Sequence, residues 1–223
     1  MKSEPHFDTD PSCSAGFCDL FQIIRKAIGI LQKAAARTMA DQYVVLYDRV
    51  AEAGFGAYEV ANFARRRRVG ESADRPEPEP GIPAFACQHN VGYWRGRDSY
   101  GLGPSASEWV RGLRSRNWSN TVLYCEQLEK GRRAKEFAEA LPPLSRAGEM
   151  AAFGLRMNAG WPWEEFQSRT GFDLRGEWSA EIAQLVHRGW AEITPTHFRL
   201  NRAGLRFADA AAQLFLRLAP ASP

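Results

Sequence analysis

The sequence predicts an α/β part followed by a smaller α+β unit of winged-helix type, and three observations carry that expectation. A helical repeat beginning near Thr38 leads through Gly54 into the alternating run Tyr58-Glu59-Val60-Ala61-Asn62-Phe63, the helix–glycine–strand unit of α/β folds. The adjacent Pro142 and Pro143 end a charged segment and mark the expected domain boundary. Beyond them, helical patterns precede two short strands around the turn Thr194-Pro195-Thr196, which is the order of a winged helix.

Composition bounds the function. A chain of 223 residues suits one large domain or two small ones, and 44% hydrophobic with 25% charged residues is ordinary for a soluble globular protein. A net charge of +3 is too mild to imply a nucleic-acid or membrane partner. No apolar run approaches the ~20 residues of a transmembrane segment. Met1 to Asp10 is acidic and polar, unlike a signal peptide, so a cytoplasmic location is expected. Cys13, Cys18, Cys87 and Cys125 are scattered, and a reducing compartment gives no reason to pair them.

Residues 1–37 stay unassigned: Phe17 to Ala36 is apolar but carries Gly29 and has no clean cap. In the first clear helix Met39, Tyr43, Leu46, Tyr47 and Val50 recur at helical spacing, Asp41 completes a capping box with Thr38, and Gly54 supplies the stop. Residues 65–84 read as an inserted, exposed loop, because the alternate prolines of Arg75 to Pro80 exclude helix and central strand. Arg65 to Arg68 reads either as an anion site or as a solvated loop edge beside the acidic tract, the latter preferred. Order returns at Cys87 to Trp94, then Tyr100 to Ala106 reads as a strand running into a glycine loop. Thr121 to Leu141 reads as one charged helix.

After the prolines, helices are expected from Arg146 to Asn158, from Pro162, and from Glu177 to Arg188, the last burying Trp178, Ile182, Leu185 and Val186 and capped by Gly189. Trp161-Pro162-Trp163 reads as a helix staple. Ala191 to Ile193 and His197 to Leu200 form a hairpin, and a final helix after Asn201 buries Leu205, Ala208, Leu214 and Phe215.

Four blocks in this order resemble the HemN/HemW family of radical-SAM proteins. They are Y-E-[VI]-[SA]-N-[FY]-A at Tyr58 to Ala64, C-x-H-N-x-x-Y-W at Cys87 to Trp94, and the glycine strand at Tyr100 to Ala106. The fourth is a C-terminal set: Gly154-Leu155-Arg156, Gly189-Trp190 and Arg199 to Gly204. The resemblance covers about residues 38–216. It implies that 38–141 is the C-terminal part of a partial TIM-like radical-SAM barrel and that 142–218 is the family's winged-helix-like C-terminal domain. The H-N-x-x-Y-W block is similar to the heme-chaperone branch, which implies a protein that holds heme and hands it to acceptor proteins.

The departures shape the expectations. The family's C-x-x-x-C-x-x-C loop for a [4Fe–4S] cluster is absent, and Cys13 and Cys18 stand at C-x-x-x-x-C with no third cysteine nearby. Ser105 replaces a usual glycine, and Ser107 stands where a histidine is usual. Retention of the cluster and of S-adenosylmethionine is therefore not expected, no catalytic residue is assigned, and enzyme activity is left open. The resemblance makes His89, Tyr93 and Trp94 the heme-binding candidates, His89 as axial nitrogen and the rings as porphyrin faces. The alternative is that His89 hydrogen-bonds a loop while the two rings fill a junction. Gly101, Gly103, Ser105 and Ser107, with Tyr58 and Asn62, are either the remnant of an S-adenosylmethionine pocket or purely structural. Two further functions compete. One is a fragment of a split coproporphyrinogen III oxidase-like enzyme whose N-terminal half is encoded separately. The other is a winged-helix interaction module, with nucleic acid disfavoured by Glu177 and Glu181 on the helix that would read it.

Overall fold

The computed structural model describes residues 39–68, 70 and 79–217, with side chains from Asp41 onward. Phe17 to Ala36, Cys13, Cys18 and most of the Pro–Glu tract lie outside the described residues. The chain forms two compact units, one ending at Phe85 and one beginning at Ala86.

In the first unit, helix α1 (Met39–Glu52) buries Val50 completely and donates the Tyr43 hydroxyl to the Val60 carbonyl at 3.0 Å. Tyr47 meets Phe63 edge-on at 5.8 Å between ring centroids. Gly54, at φ +83°, ends the helix in the left-handed conformation that glycine adopts freely. The single strand expected over Tyr58 to Phe63 is instead, up to Asn62, the turn of an antiparallel hairpin, β1 (Phe55–Ala57) with β2 (Phe63–Arg65). The buried Glu59 is the reason. Its Oε1 accepts from the Ala61 N–H at 2.9 Å and from the Asn62 side-chain amide, while the Tyr58 N–H donates to the Asn62 carbonyl. Side chains that satisfy local backbone compete with a ladder and reverse the chain. Arg65, first of the basic run, lies over the Phe85 ring at 3.8 Å.

The second unit opens with helix α2 (Gln88–Trp94), so the block at which order was expected to return is helical. Then comes an antiparallel sheet of β3 (Ser107–Val110), β4 (Leu113–Asn117) and β5 (Lys135–Ala140), with α3 (Thr121–Glu129) between the last two. The strand expected over Tyr100 to Ala106 starts only at Ser107, because Gly103 (φ +93°) and Ser105 (φ +62°) interrupt extended backbone. The helix expected to reach Leu141 stops at Lys130. There the Gly131 N–H caps the Leu128 carbonyl and the Arg132 N–H caps that of Gln127, a Schellman closure.

Helix α4 (Pro143–Gly154) follows, starting at the proline rather than at Arg146. Next are β6 (Trp161–Pro162), α5 (Trp163–Thr170), α6 (Leu174–Glu177), α7 (Ser179–His187), β7 (Ala191–Ile193), β8 (His197–Leu200), α8 (Arg202–Leu205) and α9 (Ala208–Phe215). The helix expected over Glu177 to Arg188 breaks at Trp178, and Gly189 (φ +68°) closes it as foreseen. The expected hairpin is the β7–β8 pair, joined by β6 in the order β6-β8-β7. The proline pair read as a boundary lies inside this compact unit.

The core is aromatic. Trp161, Phe166, Trp178, Phe198 and Phe215 are fully buried, with Phe166 edge-on to Trp161 at 5.2 Å and to Trp178 at 5.7 Å. Burying one such side chain contributes about 1.5–3 kcal/mol. Both indoles are satisfied: Trp161 Nε1 donates to the Met150 carbonyl at 3.1 Å and Trp178 Nε1 to the Phe215 carbonyl at 2.9 Å. Trp161 is thus a core anchor rather than a helix staple.

Candidate functional site

Strand alternation decides which side chains share a face. In the β3–β4–β5 register, Ser107 opposes Arg116 and Phe137, and Trp109 opposes Arg114 and Glu139, so these six lie on one face. A register shift between Arg116 and Asn117 then pairs Asn117 with Lys135 on the other face. The first face, α2 and α4 enclose a groove of about 510 Å³, lined by Tyr93, Trp109, Phe137, Met150 and Phe153 with Arg97, Arg114 and Arg116 among its polar groups. Tyr93, Phe137 and Phe153 are 41%, 46% and 40% exposed, so three large rings face solvent together along the groove.

Charge around the groove is unevenly spent. Arg114 is clamped by two carboxylates, Glu139 and Glu149, each at 2.5 Å, and Arg116 pairs with Glu136 at 2.9 Å. Burial pushes the Glu149 carboxyl above its ordinary value, and Arg114 opposes that shift. Past Gly96, Trp109 and Met150 the groove continues into a smaller cavity of about 300 Å³ lined by Arg111, Arg146 and Arg169. Arg169 pairs with Glu165. Among the described residues, Arg97, Arg111 and Arg146 have no carboxylate within ion-pair distance. Arg111 and Gly112 form the two-residue β3–β4 turn with φ of +51° and +79°, the positive-φ pattern of a type I′ hairpin.

The three heme candidates are divided. Tyr93 lines the groove and stacks on Phe153, with centroids 6.1 Å apart. Trp94 stands behind it, edge-on to Tyr93 at 5.1 Å and to Phe153 at 6.0 Å, with the Arg156 guanidinium 5.0 Å from its ring. His89 is exposed one turn before Tyr93, on the same helix face, and does not line the groove.

The glycine loop is divided as well. Ser107 lines the groove, whereas Gly101, Gly103 and Ser105 belong to a loop at the opposite sheet face. Asn117 Nδ2 donates to the carbonyls of Gly101 (3.0 Å) and Gly103 (2.9 Å). The Gly101 N–H reaches Glu108, the Gly103 N–H the Tyr124 hydroxyl, and the Ser105 N–H the Trp118 carbonyl. These bonds tie the loop to the sheet and to the Thr121–Glu129 helix. Tyr58 and Asn62 belong to the first unit. The described cysteines, Cys87 and Cys125, are free, exposed thiols on separate helical elements, and two thiols do not make the three-cysteine set of a [4Fe–4S] cluster. Among the described residues no helix is long and apolar enough to cross a membrane.

Sequence reasoning missed Arg97, Trp109, Arg111, Arg146 and Phe153. Only Arg111-Gly112 left a signal, a glycine turn between alternating runs.

Residues 141–207 match the HemN C-terminal domain family. The heme chaperone HemW of Lactococcus lactis is 27% identical over 164 residues, which cover 74% of this chain and 38% of that protein. The heme chaperone HemW of Synechocystis is 29% identical over 69% of this chain and 34% of its own length. The mitochondrial radical S-adenosyl methionine domain-containing protein 1 of Danio rerio is 32% identical over 71% of this chain and 34% of its own. The chain thus spans little more than a third of the length of these relatives. Coproporphyrinogen III oxidase (HemN) from Escherichia coli, a radical SAM enzyme, superposes with a TM-score of 0.52 at 14% identity, over 80% of this chain and 42% of that one, which shows a shared fold. Family match, relatives and fold agree: the chain belongs to the HemW/HemN-type radical-SAM family and corresponds to its C-terminal part.

Proposed function

We propose that this chain handles heme, holding the porphyrin in the groove between α2, α4 and the β3–β4–β5 sheet and passing it to an acceptor protein. The observation that carries the reading is the groove itself: aromatic and thioether side chains along a cavity rimmed by arginines. A flat apolar ring with two carboxylates requires such a combination. Relatives named heme chaperones support it, since the matched region contains the groove. Tyr93 and Phe153 stack against the ring, Trp94 backs them, and His89 offers an iron ligand at the outer end of α2. No radical chemistry is assigned to the chain, and a cytoplasmic setting fits this reading. The order of β6 between α4 and α5, with the β7–β8 hairpin after α7, supports a winged-helix reading of the C-terminal part, which then serves as the support for α4.

Hemin titration with thermal unfolding on the same variants tests the proposal. Phe153→Ala is expected to weaken hemin at least about tenfold, the loss of one well-packed aromatic anchor, while the protein stays folded. His89→Ala is expected to move the Soret band without abolishing uptake. Unchanged affinity in Phe153→Ala would remove the groove from the account, and an unmoved Soret band would remove His89.

A further inference from the structure

We infer that the groove draws its affinity for the tetrapyrrole from the ring and the carboxylates, with any iron bond to His89 secondary, and that Arg97, Arg111 and Arg146 take the carboxylates. This deepens the heme reading above and rests on it. Coordination is the first consideration. Neither cavity is lined by a histidine or a cysteine, and the one soft donor on the walls is the Met150 thioether, itself buried. Iron would therefore find the Tyr93 hydroxyl on the wall and His89 one turn beyond it, few contacts beside the rings and guanidiniums that line the two cavities.

Charge gives the second argument. The carboxylates lining the two cavities are Asp98, Glu108 and Glu149. Glu108 is held by Lys135 at 3.0 Å and Glu149 by Arg114. Only Asp98 shares the smaller cavity with Arg111 and Arg146, and it accepts the Arg111 backbone N–H at 2.9 Å, while Arg97 lines the groove itself. An apolar slot ending in surplus guanidinium is complementary to a planar molecule carrying anionic groups on one edge.

Backbone geometry supplies the third. Arg111 sits at φ +51°, where asparagine or glycine would rest at lower energy. An arginine kept there for packing alone would be a poor choice, whereas an arginine presented to an anion keeps a use for its strain.

The experiment titrates the 223-residue chain with hemin and with metal-free protoporphyrin, following absorption and porphyrin fluorescence. The expected result is affinity for the two probes within a few-fold of each other. Arg111→Asn and Arg146→Gln should each weaken both probes by about tenfold, the worth of a charge-assisted hydrogen bond, and Arg111→Asn should leave the melting temperature equal or higher. Binding of hemin without protoporphyrin would overturn metal-independent recognition while leaving the heme reading intact. Equal binding of both probes with unchanged affinity in the two arginine variants would overturn the carboxylate assignment alone. Binding of neither probe would overturn the heme reading itself.

Discussion

Glu108 shows how a single residue ties together the sheet and the glycine loop beside it. Its carboxylate gathers Lys135 at 3.0 Å, the Ser115 hydroxyl at 3.2 Å and the Gly101 N–H at 3.3 Å, and the Lys135 bond holds it below the ordinary carboxylate range. A carboxyl whose folded pKa is depressed stabilises the fold above its unfolded pKa, and that contribution disappears as pH falls through the folded one. Melting temperature is therefore expected to drop on acidification below the ordinary glutamate range, and Lys135→Met should flatten that part of the profile. A Lys135→Met profile parallel to that of the unsubstituted protein would show that the pair does not stabilise the sheet. At this scale the sequence was readable only in part. Tyr93 was named because it stands in a recognisable block. Arg111 and Trp109 were not, because only strand register, a long-range property, turns them toward the same groove.

Among elements, the legible ones were those whose signal is local. Helix α1 with its Gly54 stop, the Gly189 closure and the β7–β8 hairpin follow from periodicity and turn chemistry. Strand β5 was lost because Lys135 to Ala140 is built mostly of good helix formers, and pairing with β4 overrides that preference. The Tyr58 to Phe63 alternation misled for the opposite reason: a buried glutamate bends a run whose pattern alone reads as extended. Family motifs turn out to mark joints between elements. A Cβ on Gly154 would stand 2.1 Å from Trp161 Nε1, and one on Gly204 1.9 Å from the Trp190 carbonyl oxygen. Gly154→Ala must displace the core indole that fastens α4, at a cost of about 1–3 kcal/mol or more by overpacking. Chemical denaturation is expected to register that loss, with hemin uptake falling in parallel because α4 forms one groove wall. Wild-type stability in Gly154→Ala would mean that α4 is not locked by Trp161.

For the whole molecule, the family assignment was legible from four sequence blocks, but the location of the groove was not. The blocks report joints and turns, whereas the groove is assembled from α2, the β3–β4–β5 sheet and α4, which only the tertiary fold brings together in the unit that begins at Ala86. The account stands on that location. Hydrogen–deuterium exchange of the full chain with and without hemin reads it directly, because a ligand that binds the native state slows local opening where it sits. Added protection is expected in Gln88–Trp94, Ser107–Asn117 and Pro143–Gly154, with Ser179–His187 and Ala191–Leu200 unaffected. Protection confined to the β7–β8 hairpin and α7, or none at saturating hemin, would contradict it.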